Sequence, residues 1–357
     1  MLGQKEKPMS PPDTGSNSNG RWGIRTHDPL IKGLVSLEYI CSVCEGVVMG
    51  QIFDDRLFKP PGTFMDLDYG HDLTDRKAAV LGIPYDNGTH PHRIGARDGP
   101  RAIREASRLI RRYRPPNADF DPLERLRVID CGDVKLVPSV LEEAEKAIEC
   151  AVGLIAGTGV IPVTMGGDGS VTLGQLRALS KLHRNLTVLH VDSHTDANPG
   201  DDRTNATGNT FVRAAYEGVI DVDTSVHVGM RGTFYAPGIF EKARQLGYGL
   251  ITYEELKTRG VYAVTTELKE RFTGRPVYLC WDMDFFDPSC APGVCAPIPG
   301  GPSAEEGLQF LRALSGLTFV GFDINTVSPP HDVQGITAQL AAQVMYDCLV
   351  LLCQQPG

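Results

Sequence analysis

The sequence predicts an α/β protein whose parallel sheet is covered by helices on both faces. Three observations carry that prediction. Short apolar runs bounded by Gly, Pro or Asp recur from about Lys77 onward, and helix-like segments separate most of them. The runs are apolar almost throughout, as strands buried on both faces are, rather than alternating with polar residues. Neither a repeat nor a linker interrupts 77–355, so one domain is the simplest organisation.

The expected strands, in order, are AAVLGI (78–83), LRVID (126–130), VIPVTM (160–165), LTVLHVD (186–192), SVHVGM (225–230), PVYLCWD (276–282) and LTFVGFD (317–323). Between the second and third, PSVLEEAEKAIECAVGLIAGTG opens on the helix-start pair Pro138-Ser139. It places Leu141, Ala144, Ile148, Val152 and Ile155 on one stripe and stops at glycine. A last apolar helix, ITAQLAAQVMYDCLVLLCQ, closes the chain, and its Leu349, Leu351 and Leu352 are candidates for an interface.

Upstream, residues 1–48 are expected to be a disordered or non-native leader. Residues 1–20 are rich in Pro, Ser, Gly and Asn, and GRWGIRTHDPLIKG resembles peptides spuriously translated beside transfer-RNA genes. Met49 is then the expected start, with 49–76 an extension packing on a domain spanning 77–357. A net charge of −9 argues against a nucleic-acid or anionic-membrane partner, either of which needs a basic face. No run reaches the length of a membrane span. Nine scattered cysteines, several in apolar runs (Cys150, Cys280, Cys348), with no secretory signal ahead of them, point to a reduced, cytoplasmic protein. Cys41 and Cys44 have zinc-like spacing but no second pair, and read as incidental thiols.

Four strands run straight into acidic or glycine-rich turns: MGGDGS, VDSHTDAN, WDMDFFDP and FDINTVSPPHD. Ligands of open α/β sheets bind beyond the carboxyl ends of the strands, so these turns are candidates for one shared site. Asp192, His194 and Asp196, and likewise Asp282 and Asp284, are spaced two apart, and on extended backbone each set aims at one point. Four facing aspartates repel and are forced toward protonation unless a divalent cation intervenes. Oxygen donors with one imidazole suit Mn²⁺, Ni²⁺ or Fe²⁺ better than a structural zinc. Any single aspartate after a strand is more often a turn residue; two period-2 acidic sets in one chain are hard to explain that way.

The GGDGS loop (166–170) resembles that of the NAD kinase and diacylglycerol kinase families, and also a GGDHS loop with glycine in place of histidine. The rest of the chain favours the second. GIPYDNGTHPHRIGARDGPRAIR (82–104), GGDGS, DSHTDAN, GMRG (229–232), DMDFFDPSCAPGVCAPIPGG and GITAQLAA are similar, in order, to motifs of the arginase/agmatinase (ureohydrolase) family. The resemblance covers 77–355. It implies a three-layer αβα sandwich on a parallel, arginase-type eight-stranded sheet, trimers or hexamers, and hydrolysis of guanidino C–N bonds by a hydroxide bridging two metals about 3.5–4 Å apart. DINTVSPPHD (323–332) departs from the arginase and agmatinase form at Thr326, where a guanidinium-holding glutamate falls, and resembles the nickel-dependent guanidine hydrolase and metformin hydrolase branch. It suggests Asn325, Thr326 and His331 as substrate-binding residues.

Carried over by position, one metal keeps Asp192, His194, Asp282 and Asp284. The other has Asp192, Asp196 and Asp282, but its histidine position is Gly169. The family's proton-shuttling histidine falls at Thr207, which cannot titrate near neutrality. His90, His92 and His331 lie in loops that could approach the site, but read more simply as ordinary loop histidines. Two such losses imply a subunit with a vestigial or partial metal site and no intact catalytic residue. Its expected partner is a homologous, Ni- or Mn-loaded catalytic chain in a hexamer-like assembly acting on a guanidino or biguanide substrate, as metformin hydrolase pairs two such chains. A self-sufficient hydrolase of a small guanidino compound and a metal-free ligand-binding protein are the competing expectations.

Overall fold

The structure, a computed structural model, describes residues 62–86, 92–137, 140–198 and 207–356, together with the backbone of Phe58–Lys59. The expected leader at 1–48, with Cys41 and Cys44, lies outside the described residues, as do His90 and the Pro138-Ser139 helix start.

Nine strands form one sheet: β1 (Phe58–Lys59), β2 (Ala78–Gly82), β3 (Ile129–Val134), β4 (Ile161–Met165), β5 (Thr187–Val191), β6 (Val226–Val228), β7 (Gly249–Ile251), β8 (Val277–Asp282) and β9 (Phe319–Asn325). Their order is β1-β3-β2-β4-β9-β8-β5-β6-β7, with β1 antiparallel and the other eight parallel. Seven of the eight parallel strands coincide with or overlap the expected runs. The eighth, β7, is a three-residue Gly-Leu-Ile at the far edge, too short and too exposed to announce itself by apolar content. β3 starts later than expected because Pro122–Leu126 is a helical turn that Arg127 ends in the left-handed region.

The helices are α1 (Gly99–Ser107), α2 (Pro122–Leu126), α3 (Leu141–Ala156), α4 (Thr172–Ser180), α5 (Thr210–Glu217), α6 (Ile239–Leu246), α7 (Tyr253–Arg259), α8 (Val261–Arg271), α9 (Ala304–Ala313) and α10 (Ile336–Cys353). Strand residues alternate between two cores. Ala78, Val80, Leu189, Val191, Leu279 and Trp281 pack with α1, α2 and α7–α10, while Ala79, Leu81, Val188, Tyr278 and Cys280 pack with α3–α6. The result is the three-layer αβα sandwich.

In α3 the predicted stripe is buried at Ala144, Ile148, Val152 and Ile155, and the helix ends at Gly157. α10 differs from its expected role. Leu349, Leu351 and Leu352 are at most 5% exposed and belong to the chain's own core, so they offer no interface surface. By length and composition α10 alone among the described helices could cross a membrane, yet 78% of it is buried inside the fold.

A buried ion cluster ties the segment before β2 to this scaffold. Arg104 of α1, 1% exposed, donates through Nε and Nη2 to Asp130 of β3 at 2.8 and 2.9 Å, and through Nη1 to Asp133. Asp130 also accepts the backbone N–H of Phe64 at 2.8 Å, which seats Phe64 and Met65 in the core. Removing one partner of such a cluster strands the other charges. Arg104→Met is therefore expected to cost about 3–5 kcal/mol in urea denaturation, and Arg104→Lys, which cannot bridge both carboxylates in the same plane, a smaller share.

Candidate metal centre

The four turns singled out in the sequence leave four neighbouring strands, β4, β9, β8 and β5, at the same edge of the sheet. They meet in one pocket lined by Asp86, Arg93, Asp168, His194, Asp196, Asn198, Thr207, Asp282, Asp284 and Thr326, with Thr233, Phe234, Tyr235, Ile239, Cys295 and Ala296 around its apolar side. Of the substrate-binding residues expected from the sequence, only Thr326 lines it. Asn325 turns away, its amide donating to Asp323 at 3.0 Å, and His331 pairs with Ser328 Oγ at 2.8 Å outside the lining. His92 is exposed and outside the lining as well.

The aspartates converge, but not by the extended backbone the spacing suggested. β5 ends at Val191, and Asp192–Asp196 follow as a series of bends in which Asp196 has φ +46°. β8 ends at Asp282, and Met283–Phe285 form a 3₁₀ turn carrying Asp284. Several carboxylates use one oxygen to hold these turns. Asp282 Oδ1 accepts Asp284 N–H at 2.7 Å and the Thr326 hydroxyl; Asp192 Oδ1 accepts His194 N–H at 2.6 Å; Asp284 Oδ1 accepts Ser193 N–H and Oγ–H at 3.1 and 2.7 Å. Thr326 does this at φ +66°, a conformation costly for a β-branched residue and characteristic of functional sites.

Arg231, from the GMRG motif, supports the same turn from below. Its guanidinium donates to the carbonyls of Asp284, Phe285, Phe286 and Ile298 at 2.8–3.1 Å. The sequence shows the motif but not this role.

All four carboxylates are buried. Burial, then the charges of Asp192 and its neighbours, hold Asp196 well above the usual carboxylate range. Burial, then Asp284 and Asp192, do the same to Asp282, and burial, then Asp192, raises Asp284. At Asp192 burial also favours the neutral form, but the His190 and His194 imidazoles outweigh it and hold the carboxyl well below its ordinary value. At His194 burial disfavours the cation, and Asp284 and Asp192 overcome it, raising the imidazole well above its usual value.

This donor set fits a divalent cation. His194 Nδ1 lies 3.2 Å from Asp192 Oδ1 and 3.1 Å from Asp284 Oδ2. Neighbouring ligands of an octahedral ion with bonds near 2.1 Å are about 3.0 Å apart. Beside this set the ligand atoms of His190, Asp192 and Asp196 also converge; the second position expected from the sequence, Asp192, Asp196 and Asp282, offers carboxylates alone. The glycines of GGDGS explain why. A side chain on Gly167 would meet the Tyr85 carbonyl at 1.4 Å, so that glycine is demanded by the fold. A Cβ on Gly169 would meet no backbone, only Thr207 Cγ2 at 2.6 Å and Asp196 Oδ2 at 3.2 Å. The Thr207 methyl thus stands where a side chain at position 169 would begin. Asp168, meanwhile, accepts the Ser170 N–H at 3.1 Å, so a carboxylate already occupies the turn where a phosphate cradle would need its anion.

Comparison with known proteins agrees with this architecture. The chain matches the Arginase family over residues 76–351. It is 38% identical to a guanidinobutyrase of Pseudomonas aeruginosa over 78% of this chain and 86% of that protein, and 36% identical to a guanidinopropionase of the same organism over 82% and 92%. Among solved structures, proclavaminate amidino hydrolase from Streptomyces clavuligerus superposes with a TM-score of 0.77 at 33% identity, covering 84% of this chain and 99% of that one.

The raised groups set the pH dependence. In the metal-free protein Asp196, Asp282, Asp284 and His194 hold protons the unfolded chain releases, so the stability they confer is full at low pH and lost as pH rises through their folded values; Asp192 acts in the opposite sense. A cation displaces those protons, so its affinity rises with pH. Melting curves with and without Mn²⁺ should show a larger metal-induced gain in Tm at about pH 8 than at about pH 5. Asp284→Asn should remove most of that gain; an equal gain at both pH values would contradict the site.

Proposed function

The chain belongs to the arginase family, and from that premise we propose that it takes part in hydrolysing a guanidino C–N bond as a subunit whose own residues complete one metal position and not two. The observation that carries this reading is the Thr207 methyl standing where a side chain on Gly169 would project. Asp192, His194 and Asp284 would hold one Mn²⁺ or Ni²⁺, with Asp282 beside them. The chemistry a divalent cation supplies when bound is Lewis-acid polarisation and activation of water.

The chain's residues do the rest. The carboxylate floor draws in a planar cation, and Phe234 and Tyr235 offer it apolar edges at the mouth. Thr207 borders the pocket but cannot carry a proton near neutrality, so the leaving amine has no titrating donor at that position. Both features favour a metal-poor subunit that works beside a homologous catalytic chain in a hexamer-like assembly. The DINTVSPPHD motif supports a biguanide substrate, with metformin and water giving guanylurea and dimethylamine.

A second reading is favoured by the well-formed Asp192–His194–Asp284 set and the pocket above it: a self-sufficient hydrolase of a small guanidino compound such as guanidine, agmatine or a guanidino acid, working with one metal. It requires turnover by the chain alone, abolished in Asp284→Asn or His194→Ala.

Metal content of the chain expressed alone with nickel and manganese separates these. The subunit reading expects at most one ion per chain and no release of urea or amine, with activity appearing on co-expression of a catalytic homologue. Gly169→His combined with Thr207→Ala, which clears the obstructing methyl, should raise the content toward two ions. Two ions in the unaltered chain would refute the reading.

A further inference from the structure

Behind the acidic cluster lies a pair of histidines that neither the family motifs nor the pocket accounts for. His190 of β5 and His227 of β6 are partners in the strand register and are each 1% exposed. Their Nδ1 atoms are 2.8 Å apart, and His190 Nε2 lies 2.9 Å from Asp192 Oδ2. The rings sit in an aromatic cage. Phe211 packs on His190 at 4.3 Å and Tyr248 on His227 at 4.4 Å between centroids, and Tyr248 is pinned through its hydroxyl to the Phe211 carbonyl at 2.7 Å. Phe211 N–H in turn donates to the Asp196 carbonyl at 3.0 Å. His227 Nε2 is buried with no hydrogen-bond partner among the described residues.

These contacts determine where the protons stand. An ionised carboxylate only accepts, so His190 Nε2 carries hydrogen and donates to Asp192. The two Nδ1 atoms share a single hydrogen. If His190 held it, His190 would be cationic and His227 would have to carry its hydrogen on Nε2, an orphaned donor in an apolar cage. If His227 holds it, both rings are neutral and the orphan is a bare lone pair, the less costly vacancy. The chain of donors therefore runs from His227 Nδ1 to His190 Nδ1, and from His190 Nε2 to Asp192.

We propose that His190, locked in this tautomer by His227, is a positioning residue that aims the Asp192 carboxylate at the cation it shares with His194 and Asp284. Asp192 belongs to both groups of side chains that could hold an ion, His190–Asp192–Asp196 and Asp192–His194–Asp284, so its orientation bears on each position. Hydrogen bonds of this kind to metal-ligating groups typically change metal affinity about 10–100-fold when removed. The proposal rests on reading Asp192 as a cation ligand.

The test combines calorimetric titration of the full chain with Mn²⁺ and ¹⁵N-histidine NMR of the metal-free and Zn²⁺-titrated protein. The expected spectrum has Nε2–H on His190 and Nδ1–H on His227. His190→Phe should weaken Mn²⁺ binding about 10–100-fold. His190→Gln, whose amide can still donate to Asp192, should recover part of that loss, a rescue that mere packing would not produce. His227→Phe, which leaves the His190 tautomer unconstrained, should give a smaller loss and carries the test if His190→Phe does not fold. Unchanged affinity in His190→Phe, or Gln no better than Phe in folded proteins, overturns the proposal while leaving the metal centre standing. Loss of the His190 Nε2 hydrogen on adding Zn²⁺ would make it a direct ligand and also overturn it. Failure of the unaltered chain to bind any metal, with the tautomers as assigned, would remove the metal centre itself and the proposal with it.

Discussion

The structure turns on the cost of placing Asp192, Asp196, Asp282 and Asp284 out of water beside one another. Among the described residues the arginines beside them, Arg93 and Arg231, give their hydrogen-bond donors to backbone carbonyls. The fold tolerates the arrangement because Asp282, Asp284 and Asp192 each have an oxygen bonded to a neighbouring turn. Burial, and then the repulsion that remains, holds three of the four carboxyls above their ordinary range. The adjacency of β4, β9, β8 and β5 brings the carboxylates together, and the strained φ values of Asp196 and Thr326 mark where the backbone yields to keep them there.

Much of this was legible in the sequence because burial leaves a compositional trace. Parallel strands covered on both faces read as unbroken apolar runs, and seven were found that way. β7 escaped because three residues at a sheet edge have little to bury. β3 was misplaced because its aspartates look like turn residues until Arg104, twenty-six positions earlier than Asp130, is known to pair with them. The acidic residues of the site were legible as residue types, although the geometric reason was different: bends and a 3₁₀ turn, not extended backbone, bring them together. His190 carried a signal that went unread. It continues the period-2 series of Asp192, His194 and Asp196 back into the strand, where alternation does hold, and so faces the α5 side with Val188.

Glycine shows where sequence reading has to stop. Gly167 and Gly169 stand two apart in one loop, and nothing in the string GGDGS separates them. In space one is compulsory, since a carbonyl occupies the place of its side chain. The other is a choice, since only the Thr207 methyl and the Asp196 carboxylate stand near it. Thr207 is thirty-eight positions away, so the two positions singled out in the sequence are joined by one packing contact: the Thr207 methyl lies where a side chain on Gly169 would begin. Asn325 and His331 illustrate the converse. They stand one and five positions from Thr326, yet a strand end and a 3₁₀ turn point them elsewhere, and of the three only Thr326 lines the pocket.

Filling one metal position and not the other changes what the site is suited to do. Two divalent ions would cancel the charge of the four carboxylates, leaving the pocket electrically fit to hold a hydroxide between them. With one ion, Asp196 and Asp282 have no metal to displace the protons that burial and neighbouring charge favour on them. Where they do ionise, water screens them poorly, so they would attract a guanidinium cation strongly while activating water less effectively than the filled site. On the proposed reading, binding and chemistry, joined where both ions are held, would come apart through the packing of a single methyl group. Such a chain would keep the means to capture a cationic substrate and leave its cleavage to a partner, a division of labour that stands or falls with the metal content and turnover of the chain alone.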